Sequence, residues 1–137
     1  MSATRKLVVN VDGGSRGNPG PAAIAAVLTT PDGELVEERA ERIGRATNNV
    51  AEYRALLLGL ERARELGATE VEVIGDSQLI VRQVNGQYKV KDAGLKPLHQ
   101  QAQQALRAFD SWTIRDVRRE QNDAADALLN QALDAAG

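Results

Sequence analysis

The chain has 137 residues, 42% hydrophobic and 26% charged, with a net charge of −2 and no cysteine. That composition suits one soluble domain with a real core, and it excludes disulfides, thiolate metal centres and any apolar run of the roughly 18 residues a membrane span needs. The small negative charge argues against a surface that holds nucleic acid by positive potential alone, although acids that ligate cations are neutralised in use and would account for the surplus.

Residues 5–12, RKLVVNVD, are Val-rich with little polarity, as expected of a central strand. GGSRGNPGP at 13–21 is a turn cluster with four Gly and two Pro. AAIAAVLTT at 22–30 is a second strand, and Pro31-Asp32-Gly33 after it is a hairpin turn. Residues 34–43, ELVEERAERI, have helical propensity, but the tight turn before them predicts a third, antiparallel strand. Residues 48–66 form a helix with Thr47 or Asn48 as cap, Val50, Tyr53, Leu57 and Leu60 at helical spacing, and Gly67 at its end. EVEVIG at 70–75 is a strand, Ser77–Val84 a short helix, and 87–96 an irregular connection. Pro97 opens a helix to about Phe109, residues 111–118 form a strand, and Asn122 caps a last helix through Leu133. The order β-β-β-α-β-α-α-β-α predicts an α/β fold over residues 1–137. Its mixed five-stranded sheet has three antiparallel strands, then two strands brought in parallel by right-handed crossovers, with helices on both faces.

On this scheme four acids converge. Asp12 ends the first strand, Asp76 follows the fourth, Glu52 lies about a turn into the first helix, and Asp126 sits in the first turn of the last. Open α/β sheets bind ligands beyond the carboxyl ends of parallel strands. Carboxylates gathered there repel unless one is protonated or a cation sits between them. Oxygen ligands without Cys or His suit a hard cation, Mg²⁺ or Mn²⁺. Any one of these acids, taken alone, is equally well a solvated cap, so the residues by themselves leave that alternative open.

Four segments then resemble, in order, the type 1 ribonucleases H, of the short kind that lacks a basic handle. They are VDGGSRGNPGPAA at 11–23, TNNVAEYRALLLGL at 47–60, VIGDSQLIVRQVNG at 73–86 and REQNDAADALLNQAL at 119–133. The resemblance implies the ribonuclease H-like fold and an endonuclease that hydrolyses the RNA strand of RNA–DNA hybrids, leaving 5′-phosphate and 3′-hydroxyl ends. It implies two Mg²⁺ or Mn²⁺ ions, bridged by Asp12, with Glu52 and Asp76 holding one and Asp126 the other. It further implies substrate contacts from Gly13, Gly14, Ser15, Arg16 and Asn18, and from Asn48 and Asn49 at 2′-hydroxyls and base edges. Arg45 and Thr47 would grip a DNA phosphate, and Gln78 would reach the minor groove; Thr47 as a cap and Gln78 as a solvated helix residue are the plainer readings. Cleavage of RNA–RNA duplexes is left open. A non-catalytic binding module would have little use for four metal ligands, and a DNA resolvase or exonuclease matches the TNN and GNPG segments less well.

The chain departs from that family in three places. VRREQND at 117–123 lacks the mobile His many members carry there; Arg118 or Arg119 is the candidate substitute, while His99, the only His, is expected to pack. QYKVKDAGL at 87–95 is a minimal handle, with Lys89, Lys91 and Lys96 in or beside it. Asp92 stands where relatives place a phosphate-binding Asn, which puts that contact in doubt. Trp112 and Tyr53 could stack on bases but are expected in or near the core. MSATRKLVVN is not a signal peptide and no heptad is present, so a cytoplasmic monomer is expected.

Overall fold

The computed structural model describes residues 5–135. The elements follow the predicted order: β1 (Lys6–Ser15), β2 (Gly20–Thr29), β3 (Leu35–Ala46), α1 (Asn48–Glu65), β4 (Glu70–Gly75), α2 (Gln78–Val84), α3 (Lys96–Leu106), β5 (Ser111–Asp116) and α4 (Asp123–Asp134), the last preceded by a single 3₁₀ turn at Arg119–Gln121. The sheet order is β3-β2-β1-β4-β5; β1–β2 and β2–β3 are antiparallel, β1–β4 and β4–β5 parallel. No helix among the described residues is long and apolar enough to cross a membrane.

Side-chain alternation along β1 divides the molecule. Leu7, Val9 and Val11 face α1, where they pack with Leu28, Tyr53, Leu56, Leu60, Val71 and Val73 in the main core. The opposite face carries α4 on a much smaller cluster of Ala23, Ala25, Leu129 and Leu133. Helix α1 lies close to the sheet because Gly59 has no Cβ; one would stand 2.7 Å from Val9 Cγ1 and 2.8 Å from Val11 Cγ1. Thr47 caps α1, its hydroxyl accepting from Val50 N at 3.3 Å, and Gly67 ends it at φ 85°.

Three expectations need correction. Asp12 does not end β1. Pairing with β4 stops at Asn10↔Ile74, but pairing with β2 runs on to Ser15↔Ala22, so Gly13, Gly14 and Ser15 are strand rather than open turn. The antiparallel partner overrides the weak strand propensity of Gly-Gly-Ser. Asn122 precedes α4 but makes no side-chain cap; its amide is used elsewhere. Finally, β3 continues to Ala46 and α3 stops at Leu106, three residues past and three short of expectation.

Candidate active site

The sheet forks where β4 leaves β1, and Asp12 lies in the fork, buried at 6% exposure. Glu52 approaches it because Gly13 admits the helix: a Cβ on Gly13 would fall 2.2 Å from Ala51 O and 2.7 Å from Glu52 N. The missing Cβ of Gly13 therefore serves helix packing. Asp12, Glu52, Asp76 and Ser77 line one cleft, floored by Val11, Leu56, Val73, Ile80 and Ile114. Asp126 arrives on α4 from the other side, outside that lining, and helps to raise the Asp12 carboxyl.

Electrostatics show how crowded the acids are. Asp12 is pushed up to about 8, first by burial and then by Asp76, Asp126 and Glu52. Glu52 is pushed up to about 7 by burial, against a lowering hydrogen bond from the Ser77 hydroxyl, with Asp76 raising it further and Arg119 opposing. Burial also raises Asp76, countered by Arg119. Asp12 Oδ2 and Asp76 Oδ2 are buried without a hydrogen-bond partner. Arg119 Nε lies 3.7 Å from Asp76 Oδ2, an ion pair too long to be a hydrogen bond. Orphaned buried carboxylate oxygens are costly, and an oxygen-only donor set fits a hard divalent cation. Among the described residues no three such side chains are gathered as a ready-made metal cage.

Around the acids, Ser15 N and Oγ donate to Asn48 Oδ1 at 2.8 and 3.2 Å, and Asn48 N donates to Asn18 Oδ1 at 3.1 Å. These bonds tie the β1–β2 turn to the start of α1. Gly14 sits beside this knot, with the place of its missing Cβ 3.6 Å from Asn48 Oδ1. Thr47 and Asn49 are half-buried, whereas Arg45 and Gln78 are exposed. The Arg16 guanidinium is engaged by Asp134 at the far end of α4. Lys89 and Lys91 are exposed on the connection before α3, and Lys96 is exposed at its first residue. Asp92 Oδ1 accepts from Gly94 N at 2.7 Å, so this acid builds a turn. His99 is half-buried against Gln83 O at 3.2 Å and edge-on to Tyr53, the packing role expected. Tyr53 is fully buried and its hydroxyl donates to Gln83 Oε1 at 2.7 Å, so it stacks on no base.

The chain was compared with known proteins. The reverse transcriptase-like family matches residues 10–132. A ribonuclease HI of Halobacterium salinarum is 49% identical over 125 residues, 91% of this chain and 63% of the relative. A bifunctional protein of Mycobacterium tuberculosis is 51% identical over 132 residues, 96% of this chain and 36% of that protein. The chain thus spans between about a third and two thirds of these relatives. Among solved structures, ribonuclease H1 of Halobacterium salinarum superposes with TM-score 0.93 at 46% identity, covering 95% of this chain and 98% of the other. The LC11 ribonuclease H1, solved in complex with an RNA/DNA hybrid, superposes with TM-score 0.90 at 41% identity, covering 95% and 98%.

Proposed function

The chain belongs to the ribonuclease H family, and from that premise we propose that it is an endoribonuclease acting on the RNA strand of RNA–DNA hybrids. The observation that supports this most is the pair of buried oxygens on Asp12 and Asp76, neither with a hydrogen-bond partner, beside Glu52 and Asp126. Such a cluster has no use in a fold that binds only a neutral ligand, and it costs stability as it stands. Asp12, Glu52, Asp76 and Asp126 would hold Mg²⁺ or Mn²⁺, two ions with substrate in place. When bound, these ions would acidify the attacking water and offset charge on the phosphate and the departing oxygen. Hydrolysis of the bond between phosphorus and the 3′ oxygen leaves 5′-phosphate and 3′-hydroxyl ends.

The chain's own residues would orient the duplex. Asn48 has its carbonyl oxygen committed to Ser15, which leaves its NH₂ as donor toward a 2′-hydroxyl or a base edge. Asn49, Gln78, the end of β1 at Gly13–Ser15 and the turn residues Arg16 and Asn18 would extend that surface on the RNA side, with Arg45 and Thr47 toward the DNA phosphates. Arg119, already paired with Asp76, would stand where many relatives carry a mobile His. Replacing Arg119 with Ala lowers turnover severalfold on this view, and unchanged rates at saturating metal would end it. The protein acts as a monomer.

The test offers labelled hybrid, double-stranded RNA, double-stranded DNA and a four-way junction with Mg²⁺ or Mn²⁺. Cleavage of the hybrid, abolished by Asp12→Asn, is expected. Junction cleavage without hybrid cleavage would move the chain to the resolvases.

A further inference from the structure

We infer that Asn122 is the positioning residue that sets Asp126 against Asp12, an inference that rests on reading the four acids as a metal site. Asn122 is 1% exposed, and Asp12 and Gln83 are the other buried polar side chains among the described residues. Its place before α4 suggests a helix cap, yet its side chain caps nothing. It crosses to β1 instead: Nδ2 donates to Val11 O at 2.9 Å, and Oδ1 accepts from Asn10 Nδ2 at 2.9 Å. Its main-chain oxygen accepts from Asp126 N at 3.1 Å. One residue therefore joins the peptide just before Asp12 to the amide of Asp126.

The apolar contacts cannot set that geometry by themselves. Helix α4 rests on Ala23 and Ala25 through Leu129 and Leu133, with Leu128 and Ala132 packed beside them, and apolar contacts, having no fixed direction, tolerate small sliding and rotation. The Asn122 amide does not. Turning α4 by one residue swings a side chain through about 100°, breaking both bonds and leaving a buried amide unpaired. Residue 126 lies four positions on, one turn above, so fixing the phase at 122 fixes the direction of the Asp126 carboxylate.

The experiment compares Asn122→Ala with Leu129→Ala, which loosens α4 by packing alone. Mn²⁺ binding is followed by calorimetry on the full chain, hybrid cleavage is resolved into kcat and KM, and amide hydrogen exchange is measured across α4. For Asn122→Ala, Mn²⁺ affinity and kcat should each fall about 10- to 100-fold, as when the outer partners of metal ligands are removed. KM for the hybrid should stay within about twofold, since uniform substrate binding is untouched. Exchange should quicken in the first turn of α4 more than in the last. Leu129→Ala should lower the melting temperature while leaving kcat and Mn²⁺ affinity within about threefold. Should Asn122→Ala not fold, Asn10→Ala removes one of the two bonds at a half-buried site and should move kcat and Mn²⁺ affinity in the same direction by less. Wild-type kcat and Mn²⁺ affinity in the Asn variants, or an equal loss in Leu129→Ala, would overturn the inference. Cleavage by a wild-type chain that binds no Mn²⁺ would overturn the reading of the acids and the inference together.

Discussion

On one face of the sheet, α1 buries Tyr53, Leu56 and Leu60 against Leu7, Val9, Leu28 and Val71. On the other, α4 lays Leu129 and Leu133 on two alanines. The acids divide along the same line. Glu52 is carried by the densely packed α1, Asp12 by the central β1 and Asp76 by the residue after β4, whereas Asp126 is carried by the thinly packed α4. In the proposed metal site, three acids stand on a densely packed frame, and the fourth is set against them by hydrogen bonds rather than by apolar packing.

Five substitutions and one titration would break or sharpen that contrast. The largest effect belongs to the frame: Asp12→Asn should lower hybrid cleavage by at least about a thousandfold, measured at saturating Mg²⁺, with the fold intact by circular dichroism. Next comes packing. Leu60→Ala should cost about 4 kcal/mol and Leu129→Ala about 2 kcal/mol in urea unfolding, both inside the range for buried Leu; equal losses would erase the distinction between the faces. Gly13→Ala should cost about 3 kcal/mol by overpacking, because the new Cβ meets Ala51 O and α1 must back away from Asp12.

The titration probes the seam between the faces. Asp12 and Glu52, raised to about 8 and about 7, keep protons in the folded chain that the unfolded chain releases near 3.8 and 4.5. Without divalent ions the folded chain binds more protons, so stability falls as pH rises from about 4 to about 8 and levels off above that. Calorimetry in EDTA at pH 5 and 8.5 should give the lower melting temperature at 8.5, and Mg²⁺ at pH 8.5 should restore it. A metal-free melting temperature that climbs over this interval would contradict the crowding of the acids. The smallest effect is expected at the far end of α4, where Arg16 and Asp134 are 50% and 69% exposed; Arg16→Ala should change stability by less than about 0.5 kcal/mol.

Much of this was legible in the sequence because the local signals agree with one another. Val-rich β1, the Pro31-Asp32-Gly33 turn, the Thr47 cap and Gly67 each act within a few residues, and together they gave the order of elements and the strand polarity. The turn even overrode the helical propensity of residues 34–43 correctly. What stayed hidden depends on partners distant in the chain. Strand propensity says nothing in favour of Gly13–Ser15, whose extension is imposed by Ala22–Ile24 of β2. Gly13 looks like a turn glycine until Ala51 is seen against it. Asn122 has the residue type of a cap, and its true partners lie 111 and 112 positions away. The convergence of the acids followed from topology, but the orphaned oxygens that support the metal reading appear only in three dimensions.

The outer strand β3 has a consequence for behaviour at high concentration. Its exposed positions include Glu38, Arg39, Glu41, Arg42 and Arg45, so charges of both signs stud the open edge of the sheet. A strand from another molecule trying to zip onto that edge would have to strip water from these side chains. Charged edges of this kind are how natural sheets resist fibril growth. Replacing Arg39 and Glu41 with Val would leave the fold's interior untouched while creating a sticky, β-branched template prone to aggregation.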